Sequence, residues 1–298
     1  GFLEATLRAK REYLPMFRDH RVVGQWLPKT MYVTRFQENN FRSAADFEED
    51  VDVTTGSVPG VTLAGDSLST WKEAAVPFRS RNSNMAHNAV WLGWSNRVAG
   101  DDTAKRAMPA TYTIALTDSL RGAWRVDSSA TLVFSLAPTD ATPGPRSSPR
   151  DTTKAADSTK KKTPPKKKPA PKVKPDSTPF DLTVEVVDAD GKTASAPLSR
   201  YGAVRRPLES YVYLRKGRDK QRFANLYELV LQTYTIPLHD FAVGGAVDLT
   251  RLRGVRLRFD RTLAGTVVLD NIGFSHMSPE FFARGATTVG GKGEGAQP

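Results

Sequence analysis

The residues able to do chemistry are few and scattered. Four histidines, His20, His87, His239 and His276, are spread over 298 residues, none at metal-ligand spacing with another, and H-E-x-x-H is missing. The absence of cysteine excludes a disulfide framework, a Cys-ligated metal and a thiol nucleophile. No G-x-S-x-G, P-loop or G-x-G-x-x-G motif is present, so the glycine-based nucleophile and phosphate signatures are absent as well. His20 follows Asp19, but neighbouring helical side chains point about 100° apart, which does not preorganise a catalytic dyad. His239 beside Asp240 reads as a structural or solvent-exposed loop histidine. No catalytic residue is expected within this chain.

Binding chemistry is better represented. Glu48, Glu49, Asp50 and Asp52 cluster at one strand entry, where like charges suit a hard cation better than an acid and a nucleophile on opposite sides of a sugar. A sugar site needs an aromatic plane for the apolar face of a pyranose and polar groups for its hydroxyls. Trp71, Trp91, Trp94 and Trp124 could supply the plane, with Asn96 and the loop residues Arg79, Arg81, Asn82 and Asn84 nearby in sequence. Trp91 and Trp94 are three apart in a strand-like run, so a regular strand sends them to opposite faces, one to the core and one outward. The candidate ligand contacts are therefore Arg79, Arg81, Asn82, Asn84, Trp91 and Trp94.

The elements that must position these residues change character along the chain. Residues 1–28 carry Phe2, Leu3, Leu7, Leu14 and Phe17 in a helical pattern that Pro15 interrupts. A second short helix through Val22, Val23, Trp26 and Leu27 stops at Pro28. This segment is expected to pack on a neighbour and could be the end of an upstream domain. From Met31 the period becomes two. Met31–Phe36, Ala110–Leu116, Ala130–Leu136, Phe180–Val187, Leu226–Thr235, Val255–Phe259 and Thr266–Phe274 read as strands, with weaker candidates at Phe47–Val53, Ser69–Phe78 and Asn88–Trp94. In Val255–Phe259 the apolar residues alternate with Arg256 and Arg258, which fits an antiparallel sheet with one face on the core.

The net charge of +11 is concentrated in residues 138–179, which hold nine Lys and two Arg against four Asp and no aromatic residue. Such a segment cannot bury enough apolar surface to offset its ordering entropy and is expected to be a disordered Lys/Pro-rich insertion. It is either a spacer or a basic arm for an anionic surface. Nucleic acid is disfavoured as a partner, because the basic run has no interleaved aromatics for base stacking. No apolar run reaches the length of a transmembrane helix. Neither half of the strand pattern is complete alone. The chain therefore reads as a mainly β, antiparallel two-sheet sandwich, with its first half in 29–137, its second in 180–284 and a disordered tail at 285–298.

The stretch Val247–Asp260, followed by Gly265–Ser275 with its Leu269-Asp270-Asn271-Ile272-Gly273-Phe274-Ser275 end, resembles the last strands of galactose-binding-like β-sandwich modules. These are the jelly rolls found as carbohydrate-binding modules beside secreted hydrolases. Asp46–Asp50 and Asn88–Trp94 are compatible with their first strands. The resemblance implies a structural Ca²⁺ joining the first and last strands, with Glu48 or Asp50 together with Asp270 near it; alternatively Asp270 caps a strand turn with Asn271. The N-terminal helices leading to Pro28 look similar to the end of an α/β-hydrolase domain, whose active site would lie upstream. Because it starts at Gly1 with no basic-then-apolar leader, the chain reads as a piece of something longer.

Three functions follow as expectations. The first is a non-catalytic module that binds carbohydrate or a cell-surface polymer, accessory to a hydrolase of an exported protein, extracellular or periplasmic. The second is a structural docking subunit held to an envelope or membrane-associated assembly through the N-terminal helices. The third is the C-terminal part of an α/β-hydrolase.

Overall fold

The computed structural model describes residues 1–24, 27–28, 30, 32–77, 84–97, 108–144, 146, 180–209, 227–243 and 245–282. Residues 147–179 of the expected insertion and the whole expected tail lie outside them, as do Arg79, Arg81 and Asn82, whereas Pro138 ends a strand and Thr139 and Arg146 donate main-chain hydrogen bonds to Thr266 and Arg97.

The strands are β1 (Arg42–Ala45), β2 (Val61–Asp66), β3 (Thr70–Pro77), β4 (Asn84–Ser95), β5 (Thr111–Leu116), β6 (Thr131–Pro138), β7 (Thr183–Asp188), β8 (Thr193–Pro197), β9 (Leu208–Glu209), β10 (Tyr227–Glu228), β11 (Gln232–Pro237), β12 (Leu252–Arg258) and β13 (Ala264–Ser275). One antiparallel sheet runs β11-β6-β13-β4-β3, with β1 joining β13 where β4 leaves it, and a second runs β2-β5-β12-β7-β8. β9 and β10 form a separate small pair. Both sheets combine strands from before and after residues 139–179.

The two sheets face each other across one large core. In β12, Val255 and Leu257 point into it while Arg256 and Arg258 leave on the other side and clasp Glu185 at 3.0 and 3.4 Å. Leu92, Trp94, Phe134, Leu136, Tyr234, Val267 and Leu269 enter it from the six-stranded sheet. Burying a large aromatic or aliphatic side chain contributes about 1.5–3 kcal/mol, so this alternation is the main source of stability. All of β6 is buried, because its outward residues are covered too.

Over Val133 that cover includes the N-terminal segment, whereas Ala137 packs with Val76, Ala89, Leu231 and Val268. Helices α1 (Phe2–Leu7) and α2 (Pro15–Arg18) are short, and Pro15 opens α2 at its first turn, where its missing N–H costs nothing. Phe17 stacks on Phe36 with centroids 6.1 Å apart, and Phe36 meets Phe281 at 5.3 Å. Leu14, Phe36 and Phe41 thereby pack over Val133, Met277 and Phe281. Residues 32–38 are extended but form no ladder; Thr34 accepts one hydrogen bond from the Thr233 N–H. The expected strand at Met31–Phe36 is thus a strap, and the expected strand at Phe47–Val53 is loop and turn. Conversely β2, β8 and helix α3 (Asp118–Trp124), capped by the Thr117 hydroxyl, were not anticipated.

Candidate functional site on the outer face of the six-stranded sheet

Strand alternation sends β4 residues His87, Ala89 and Trp91 outward and Val90, Leu92 and Trp94 inward. Trp94 is fully buried, stacked on Phe259 at 4.3 Å, and its Nε1–H donates to the Thr262 carbonyl at 2.9 Å. It has no ring face to offer a ligand, which corrects its place among the expected contacts. Trp91 is half-buried on the outer face. Its Nε1–H donates to the Ala74 carbonyl at 3.3 Å, which fixes the indole over β3, and the Lys72 ammonium stands 6.0 Å from the ring centroid. Asn84 is the first residue of β4, opposite Pro77.

Next to Trp91 the face is apolar, with Val76, Ala89, Ala137, Leu231 and Val268 buried. Beyond them it turns polar. Asp270 lies on β13 with 2% of its surface exposed, and a register shift follows it where Asn271 adopts φ +50°, a left-handed conformation that Asn tolerates better than most residues. The Asn271 main-chain N–H donates to Asp270 Oδ1 at 2.7 Å and its side-chain amide to Oδ2 at 2.6 Å. Burial pushes the Asp270 carboxyl up to about 6, outweighing those hydrogen bonds and the nearby His87 and Arg35, all of which pull it down. His87 Nε2 stands 3.9 Å from Asp270 Oδ2, beyond hydrogen-bond reach, and is buried without a partner. Ser135, opposite Asp270 on β6, shares a hydrogen bond of 3.1 Å with Thr233 on β11.

The outer face therefore carries Lys72 and Trp91 at one level and Asp270, Ser135 and Thr233 at another two residues along the strands, with His87 near Asp270. Of these, only Trp91 and Asp270 stood out in the sequence. His87 was legible as well, since it lies four residues before Trp91 on a strand of period two and must share its face.

The three expected cation ligands do not converge. Glu48 accepts from the Asn88 main-chain N–H at 2.6 Å and its amide at 3.2 Å. Asp50 accepts from the Asp52 N–H and the Thr55 hydroxyl, closing its own turn. Asp270 faces His87, whose side chain leaves β4 on the side opposite Asn88. Among the described residues no three His, Asp or Glu side chains come together to hold a metal ion.

No protein-family model matches the chain, and no curated protein matches it. Among solved structures it is similar to the family 11 carbohydrate-binding module of the cellulosomal cellulase Lic26A-Cel5E of Clostridium thermocellum, at 10% identity and a TM-score of 0.37, over 81% of this chain and 97% of that one. The family 30 module of cellulosomal cellulase Cel9D-Cel44B of the same organism matches at 11% identity and 0.33, over 70% and 93%. A β-1,2-glucanase from Parabacteroides distasonis matches at 12% and 0.38, over 82% of this chain and 26% of that one. At this level of similarity none of them assigns a ligand. No helix among the described residues is long and apolar enough to cross a membrane.

Proposed function

We propose that the chain is a non-catalytic carbohydrate-binding module, accessory to a hydrolase of an exported protein, and that it takes its ligand on the outer face of the six-stranded sheet. The observation that carries this reading is Trp91, a half-buried indole fixed by its own N–H on the outer face of the sheet, with the Lys72 ammonium beside it. An amphipathic ring so placed suits the apolar face of a pyranose, and the exposed Lys72 ammonium beside it supplies a donor for hydroxyls. Three of the four clustered carboxylates are engaged in holding the backbone: Asp50 and Asp52 hold turns, and Glu48 holds β4. A polysaccharide ligand places the module outside the cytoplasm.

The test is retention of the purified chain on insoluble polysaccharides, followed by titration with soluble oligosaccharides of whichever one retains it. Trp91→Ala should weaken that binding at least tenfold with the melting temperature little changed. Retention that survives the substitution would remove the site.

The docking alternative is favoured by one observation: α1 buries none of its residues and leaves Phe2, Leu3 and Leu7 63%, 64% and 78% exposed. Sedimentation or pull-down behaviour that changes on replacing these three by serine would support it.

A further inference from the structure

A second site lies at one end of the sandwich, away from Trp91. The turn after α3, the start of β6, the end of β11 and the segment following β13 enclose a cleft of about 600 Å³, within the range typical of small-molecule sites. Its polar lining is Arg125, Ser128, Ser129, Thr131, His239 and His276, set around Met277 and Phe282, and among the described residues no carboxylate lines it.

The walls are tied in place. Arg125 closes α3 in a left-handed conformation, φ +52°. Its carbonyl can only accept, so His276 Nε2, 3.0 Å away, carries the proton and donates to it. Asn40 holds the His276 main chain from the other side, donating to its carbonyl at 3.0 Å and accepting from its N–H at 3.3 Å. Asp127 is taken up by the Ser129 N–H and hydroxyl at 2.8 and 2.6 Å. Asp240, behind His239, is shared among His239, Arg200 and the Tyr201 hydroxyl. Arg121 is paired with Asp118, whereas Arg125 makes no ion pair among the described residues; Asp127 stands near enough that Arg125 and His276 both help to hold its carboxyl below the usual range, after the Ser129 hydrogen bonds. Arg18 lies over the Phe282 ring, 5.0 Å from its centroid.

We propose that this cleft binds a small acidic sugar, a uronate. A guanidinium with no ion pair among the described residues matches a carboxylate in a planar, two-point contact. The serine hydroxyls and imidazoles match ring hydroxyls. Met277 and Phe282 match the apolar edge of a pyranose, which favours a ring-bearing anion over a bare phosphate. The cleft is separate from the sheet face, so the two readings stand or fall independently.

Isothermal titration of the full chain with glucuronate and galacturonate, each against its uncharged amide at physiological salt, tests the proposal. The acids should bind at least tenfold more tightly than the amides, Arg125→Gln should erase the difference, and Trp91→Ala should leave it intact. Equal binding of acid and amide, no binding of either, or an acid preference that survives Arg125→Gln would overturn it. Should Arg125→Gln fail to fold, the comparison of acid with amide on the native chain still decides.

Discussion

At the scale of single residues, Asp270 couples the outer sheet face to pH. Unfolded, its carboxyl titrates near the ordinary aspartate value of about 3.9; folded, burial raises it to about 6. Between these values the folded state keeps a proton that the unfolded state has released. Stability contributed by this group therefore falls as pH rises through the window and levels off above it. Asp270→Asn, which is neutral at every pH and keeps one acceptor for the Asn271 N–H, should raise stability at pH 7 by about 1–3 kcal/mol and flatten the dependence. Urea midpoints at pH 4 and pH 7 measure both; a variant as pH-sensitive as its parent would show that another group is responsible. Trp91 and Trp94 make a complementary point. Their spacing already required opposite faces, but which ring entered the core depended on which side of β4 the second sheet covers.

At the scale of elements, β13 organises the six-stranded sheet. Its first half pairs with β4 and its last residues with β1, and the irregularity at Asp270–Asn271 marks the exchange. Gly273 makes that exchange possible, because a Cβ there would collide with the Arg42 carbonyl and press on the Phe41 ring. Gly273→Ala should cost about 1–3 kcal/mol through forced backbone movement, visible as a lowered melting temperature. No loss of stability would mean that β1 can shift without penalty. The strong strands were legible because Val, Ile, Leu and aromatic residues alternate in them. β2, Val-Thr-Leu-Ala-Gly-Asp, was not, because its outward positions are small or polar and its apolar signal is two residues long. Residues 32–38 misled in the opposite sense. They alternate like a strand, yet Phe36 is used to pin Phe17 and Phe281 rather than to enter a ladder.

At the scale of the whole molecule, the sheets are assembled across the Lys/Pro-rich stretch. β6 precedes it and pairs with β11 and β13, while β7 follows it and pairs with β12 and β8. Loop length costs only about 0.6 kcal/mol per doubling, so replacing residues 147–179 by a short Gly/Ser link should leave the far-ultraviolet circular dichroism unchanged and shift the melting temperature by only about a few degrees. If the basic run is an arm for anionic surfaces, low-salt retention on anionic liposomes should be lost at the same time. A collapse of the folded signal would instead show that the stretch carries structure the sandwich needs.

The sequence by itself determined the period of the strands, the concentration of charge in the Lys/Pro-rich stretch, the absence of cysteine chemistry and the division of Trp91 from Trp94, because each is a property of neighbouring residues. Only the tertiary structure decided which residues meet. It brought His87 to Asp270, sent Glu48 and Asp50 to partners of their own, laid the N-terminal segment over β6 and opened the cleft between Arg125 and His276. Those contacts join residues far apart in the chain, and what brings them together is the register of the sheets and the burial of their shared core, which no local pattern encodes.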